Sequence, residues 1–204
     1  MNMRRIFITG TDTNIGKTFV SIKLLEKFNQ QGFKTIGIKP VATGSIAGYN
    51  QDALLLQQYS SIKLDYNLIN PFVFTPAVSP NIASLDLTVD KIYFALQETL
   101  TIPADVYLVE GIGGWFTPLN LKETMADLVK KIEGLEIILV VGIRLGCLNH
   151  ALLTYNAIKN AKLSIVGWIA NIIDPEMEAW NENIVTLKKY ITEPCLEIYK
   201  YEHA

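Results

Sequence analysis

The stretch "FITGTDTNIGKTFVSIKLL", residues 7–25, decides the fold. A short apolar run ends at Gly10. Five residues, "TDTNI", separate Gly10 from Gly16, and Lys17-Thr18 then open a segment in which Val20, Leu24, Leu25 and Phe28 fall on one helical face. The pattern is strand, glycine turn, helix. Backbone N–H groups and the dipole at such a helix start favour an anion. The common phosphate loop, G-x-x-x-x-G-K-[ST], has four residues between its glycines. Here there are five, and Thr11 takes the place of the first glycine. Lys17 is expected to reach the outer phosphates of a nucleotide, and the Thr18 hydroxyl to bind Mg²⁺. A chance G-K-T at an ordinary strand–turn–helix corner is the alternative. The agreement of strand, glycines, Lys-Thr and helix argues against it.

Further short apolar runs follow the same plan: "TIGI" (35–38), "VYLV" (106–109), "IILVV" (137–141), "IVGWIA" (165–170) and "CLEIY" (195–199), after "IFIT" (6–9). Continuous apolar runs fit strands buried on both faces, hence a parallel sheet. Helical spacing is expected over 17–31, stopped by Gly32. It returns over 123–134, with Met125, Leu128, Val129 and Ile132 on one face, and over 148–161 and 176–191. Strand–helix alternation predicts α/β architecture: a doubly wound, mainly parallel sheet with helices on both faces, as one domain spanning 1–204. The stretch 62–86, with prolines at 71, 76 and 80, is irregular and too long for a plain connection, which points to a functional loop.

Composition narrows the function. Half the residues are hydrophobic and 19% are charged, which excludes disorder. A net charge of -2 forces no basic face, so nucleic acid is a poor candidate partner. The two cysteines, Cys147 and Cys195, have no metal-ligand spacing and suit a reducing compartment. The start "MNMRRIFITG" lacks the apolar length of a signal peptide, and no run approaches a membrane span, so a soluble cytoplasmic protein is expected.

Several segments end at the carboxyl rim of the sheet, where open α/β sheets bind ligands. In "VYLVEGIGGWFTPL" (106–119) a buried run delivers Glu110, a candidate Mg²⁺ ligand, followed by Gly111, Gly113 and Gly114. In "IKPVATG" (38–44), Lys39 stands in an apolar setting that is costly unless an anion faces it. A lysine snorkelling to the surface is the bland reading. Asp52 opens "QDALLLQQY", where helix capping is its alternative role. "RLGCLNHALLT" (144–154) places Gly146 and Asn149 at a helix start able to hold a carboxylate, with His150 and Cys147 read as structural. In "IANIID", Asn171 ends a strand. The N-K-x-D guanine-reading motif is not met, because Ile172 stands where Lys would be.

Together, "GTDTNIGKT", "KPVATG", "VEGIGGWFTPL", "LGCLNHALLT" and "GWIAN" resemble the dethiobiotin synthetase family over nearly the whole chain and in order. The resemblance implies a P-loop NTPase fold and a reaction: ATP, CO₂ and 7,8-diaminopelargonate give dethiobiotin through a carbamate and a carbamic-phosphoric anhydride, with Mg²⁺. It implies that Lys39, Lys17 and Thr13 serve catalysis and that Thr18, Asp52 and Glu110 hold the metal. Asn14, Ile15, Gly16, Lys17, Thr18 and Phe19 of the loop would bind nucleotide, as would Gly111, Ile112 and Gly113. Asn171, with Ile172, would read the adenine edge, and Tyr199, Lys200 and Tyr201 correspond to a loop at the nucleotide base, with Tyr for the family's Pro. Thr43 and Gly113 would contact substrate. Gly146, Cys147, Leu148 and Asn149 would receive the substrate carboxylate from a neighbouring subunit, which implies a homodimer. Asn14 stands where some relatives carry an acid, which lowers the loop's charge.

Two other readings stay open. A related ATP-dependent amide-forming synthetase usually carries an amidotransferase domain, for which 204 residues leave no room. A dimeric ATP switch of the partitioning type uses an extra lysine early in the loop, and "TDTNI" has none.

Overall fold

The computed structural model describes residues 3–200. The chain runs β1 (Arg4–Gly10), α1 (Lys17–Gln30), β2 (Thr35–Ile38), β3 (Val41–Thr43), α2 (Gln51–Tyr59), α3 (Tyr66–Ile69), β4 (Phe72–Phe74), α4 (Pro80–Ala83), α5 (Val89–Thr101), β5 (Val106–Glu110), α6 (Met125–Lys131), β6 (Leu135–Ile143), α7 (Cys147–Asn160), β7 (Ser164–Ile172), α8 (Trp180–Tyr190) and β8 (Cys195–Lys200). Six strands form one parallel sheet in the order β2-β5-β1-β6-β7-β8. The short pair β3-β4, also parallel, lies apart from it. Because every main strand points the same way, all carboxyl ends share one rim. The loop after β1, Lys39 after β2 and Glu110 at the end of β5 therefore meet there.

The strands are apolar without alternation because helices cover both faces. Ile6 and Ile8 of β1 pack with Leu108 of β5, Val140 of β6 and Val20, Leu24 and Leu25 of α1. The intervening Phe7, Val109, Leu139 and Val141 belong to the opposite face, with residues of α5, α6, α7 and α8. β8 departs from this pattern. It lies at the sheet edge with alternating burial, leaving Leu196 and Ile198 exposed, so its apolar run is half solvated rather than buried on both faces.

Helix α5 was not anticipated from spacing. Its start is set by the Thr88 side chain, which accepts from Lys91 N at 3.2 Å. α6 is shorter than the expected 123–134, and Thr124 and Asp127 form a capping box at its start. α8 begins only at Trp180. The irregular stretch 62–86 contains α3, β4 and α4, short elements joined by turns. Among the described residues no helix is long and apolar enough to cross a membrane.

The phosphate loop is anchored by Ile15. Its side chain is buried against two glycines, Gly10 at the end of β1 and Gly142 near the end of β6. A Cβ at Gly142 would lie 2.7 Å from Ile15 Cγ2 and 3.0 Å from Ile173 Cδ1. Gly142→Ala is expected to lower stability by about 1–3 kcal/mol through overpacking and, by shifting Ile15, to weaken ATP binding. Denaturant unfolding and calorimetric ATP titration measure the two effects. Unchanged ATP affinity in the variant would mean that Ile15 does not set the loop.

Candidate active site

The loop between β1 and α1 turns through two left-handed residues, Asn14 (φ 56°) and Gly16 (φ 81°). Gly16 tolerates that conformation without a Cβ penalty, and α1 begins directly after it. Asn171 of β7 is fully buried beneath the loop, and its Nδ2 donates to the Ile15 carbonyl at 2.8 Å. Lys17 is buried, and its Nζ donates to the Asp12 carbonyl at 2.7 Å. Burial pushes the Lys17 ammonium down to about 8, against the opposing pull of the Glu110 carboxylate.

Lys39 is the second buried lysine. Its Nζ lies 2.6 Å from Glu110 Oε1 and 2.7 Å from Asp52 Oδ2. The anion that its apolar setting demanded is thus supplied by two carboxylates. Burial acts to lower the Lys39 pKa, but Glu110 and Asp52 outweigh it, so the group is raised and stays charged. Burial likewise acts to raise Asp52. The Lys39 ammonium and the hydrogen bond it donates overcome it and hold the carboxyl below its usual range. Thr18 Oγ1 also donates to Glu110 Oε1 at 2.7 Å. Asp52 does not cap α2. That role belongs to Asn50, whose side chain accepts from Ala53 N and donates to the Thr43 carbonyl, tying α2 to β3.

These groups line one cleft of about 940 Å³. Thr13, Asn14, Gly16, Lys17, Thr18 and Phe19 of the loop line it, together with Lys39, Thr43, Asp52, Glu110, Ile112 and Gly113. Ala77, Val78, Ser79 and Pro80, from the proline-rich stretch, complete it with Thr117 and Pro118. Motif reading missed these last residues. The irregular, proline-bearing stretch signalled a functional loop, but nothing in its spacing placed it at the cleft.

Other expected residues lie elsewhere in this chain. Asn171 is an anchor of the loop and is not part of the cleft lining. Ile15 and Ile172 are core residues. Gly111 is explained by packing, since a Cβ there would come within 2.8 Å of Phe7 Cζ. Tyr199 does not line the cleft but meets Phe19, which does, edge-on at 5.6 Å, while Lys200 lies over the Trp180 ring. Tyr201 lies outside the described residues. Gly146, Cys147, Leu148 and Asn149 open α7 on the same rim, but they do not line the cleft of their own chain. His150 follows on α7, exposed.

The donor set fits Mg²⁺. Glu110 Oε2 is buried with no hydrogen-bond partner, beside the Thr18 hydroxyl and Asp52. Among the described residues no three His, Cys, Asp or Glu side chains converge. Two carboxylates with a hydroxyl suit an ion that completes its shell with water and substrate phosphates.

A parallel sheet with a G-K-T loop at the carboxyl end of β1 and an acidic residue ending a neighbouring strand defines a P-loop nucleotide-binding protein. A family model described as an AAA domain matches residues 4–199. The chain is 44% identical to the ATP-dependent dethiobiotin synthetase BioD of Cellvibrio japonicus (strain Ueda107), covering 97% of this chain and 90% of that protein. It is 46% identical to the protein of that name from Yersinia pestis bv. Antiqua (strain Angola), covering 97% and 85%. The chain belongs to the ATP-dependent dethiobiotin synthetase family. Its fold is similar to that of the septum site-determining protein MinD complexed with Mg-ADP from Pyrococcus horikoshii OT3. That match has a TM-score of 0.60 at 17% identity and covers 98% of this chain and 82% of the other.

The depressed Lys17 pKa has a measurable consequence. Below about 8 the ammonium is charged and attracts phosphate; above it the free protein loses that charge. Without Mg²⁺, affinity for ATP is therefore expected to hold at lower pH and fall as pH rises through about 8. Calorimetric titration across that range tests it, and a flat profile would contradict the buried, phosphate-facing position of Lys17.

Proposed function

We propose that this chain is a cytoplasmic, ATP- and Mg²⁺-dependent ligase of biotin biosynthesis that closes the ureido ring of dethiobiotin from 7,8-diaminopelargonate and CO₂. The observation that carries the reading is the pair of buried lysines, Lys17 and Lys39, facing one cleft with Thr18, Asp52 and Glu110 between them. The reaction brings an anionic carbamate against an anionic phosphate, so fixed positive charge must stand where the two meet.

In this reading an amine of the substrate takes up CO₂ as a carbamate. A carbamate oxygen attacks the γ-phosphate to give the carbamic-phosphoric anhydride. The second amine then displaces phosphate and closes the ring. Lys17, released from the Asp12 carbonyl, neutralises the transferring phosphoryl group, and Lys39 faces the carbamate. Thr13 and Thr43, both in the cleft lining, orient substrate through their hydroxyls. Thr18, Asp52 and Glu110 would hold Mg²⁺, which when bound supplies further charge neutralisation on the phosphates. Asn171 Oδ1, a buried acceptor with no partner, suits the exocyclic amine of adenine. Gly146, Cys147, Leu148 and Asn149 would hold the substrate carboxylate of a second copy of the chain. The exposure of Leu145 and Leu153 on either side of that turn supports such a homodimer.

In a mixture with ATP and Mg²⁺, release of ADP is expected to require both diaminopelargonate and bicarbonate, and dethiobiotin should appear by mass spectrometry. Lys17→Ala should lower turnover by roughly 10²-fold or more with the fold retained by circular dichroism. ATP hydrolysis that needs neither co-substrate would instead indicate a nucleotide switch.

A further inference from the structure

We propose that Arg144 is a positioning residue that ties the phosphate loop to the turn opening α7, so that nucleotide binding and substrate-carboxylate binding reinforce each other. The inference rests on the reading that this turn holds the carboxylate. Asp12 is the joint. Its backbone carbonyl accepts from Lys17 Nζ at 2.7 Å, and its carboxylate accepts from Thr13 N at 2.7 Å. The same carboxylate is ion-paired with the guanidinium of Arg144, which lies 132 residues away in sequence. Arg144 in turn belongs to the α7 turn, since its carbonyl accepts from Cys147 N at 3.0 Å, just past the left-handed Gly146.

Stability does not account for this pair. Both side chains are 42% exposed, and an ion pair in such a setting contributes little to folding. Its placement gives it another use. Lys17 has two demands on it, the Asp12 carbonyl in the empty loop and the phosphates in the filled one. When phosphate draws Lys17 away, Arg144 remains as the cation on Asp12, and the added phosphate charge increases its attraction to the loop. The α7 turn is thereby drawn toward the loop and ordered. In a homodimer that turn serves the neighbouring site, so a nucleotide bound in one subunit favours diamine bound in the other. By linkage, the diamine must favour the nucleotide equally.

The test is calorimetric titration of diaminopelargonate with and without a non-hydrolysable ATP analogue, on the full chain. In the wild type the analogue should tighten diamine binding by about 5-fold or more. In Arg144→Gln that factor should fall to below about 2 with the melting temperature unchanged, and Arg144→Lys should restore most of it. Asp12→Asn should behave as Arg144→Gln does, and the double variant no worse than either, because all remove one link. A wild type with no such factor, or an Arg144→Gln protein that keeps it, overturns the proposal. So does a lowered melting temperature with the factor intact, which assigns the pair to stability. Asn149→Ala separates the two levels. If it leaves diamine affinity unchanged, the carboxylate reading fails. If it weakens the diamine while Arg144→Gln keeps the factor, only the coupling fails.

Discussion

A lysine ammonium held between two carboxylates, with almost no water around it, is the constraint on which the site depends. Lys39 comes from the residue after β2, Glu110 from the last residue of β5 and Asp52 from the first turn of α2. Lys39 and Glu110 are buried, and either charge alone at that depth would cost several kcal/mol, while Asp52 meets them from the solvent side. Together they are tolerable, and the pairing joins the ends of β2 and β5 to the start of α2. β2 and β5 are hydrogen-bonded neighbours, with Ile38 opposite Val109, so Lys39 and Glu110 follow from the same register. A register slip would separate them and break the buried ion pair.

The same cluster explains why the cleft is chemically poised. One buried ammonium, Lys39, is held charged by its carboxylate neighbours. The other, Lys17, has only a carbonyl for its nearest partner and is weakly held as a cation, so an arriving phosphate gains from satisfying it. The orphaned Glu110 Oε2 leaves room for one more cation. Behind them Ile15, Gly142 and Asn171 lock the loop to the ends of β6 and β7, which spares the lysines from having to position it.

Much of this was legible because the signals are local or forced. The G-K-T loop, the buried strands and the isolated Lys39 each carry a physical cost that admits few solutions, and the structure uses the expected ones. The rest depends on packing that spacing does not encode. Asn171 reads as a strand-end recognition group, yet what it touches is decided by where Ile15 folds back. The run 195–199 reads as one more strand of the series, but its place at the sheet edge follows from the order of the whole sheet. Asn50 could have been recognised as a helix cap from its position before "QDALLLQQY", with Asp52 thereby freed for the site. The Asp12–Arg144 pair had no sequence signal, since its members meet only through the adjacency of β1 and β6.

The most direct test of the central charge pairing is the unfolding free energy of Lys39→Met, alone and combined with Glu110→Gln, from denaturant titration. Removing the ammonium alone should cost about 3–5 kcal/mol, because a fully buried carboxylate is left uncompensated. Neutralising Glu110 as well should recover most of that loss, since the pair then vanishes together. A loss of about 1 kcal/mol or less for Lys39→Met, the scale of a solvated surface pair, or a double variant no more stable than the single, would contradict the account.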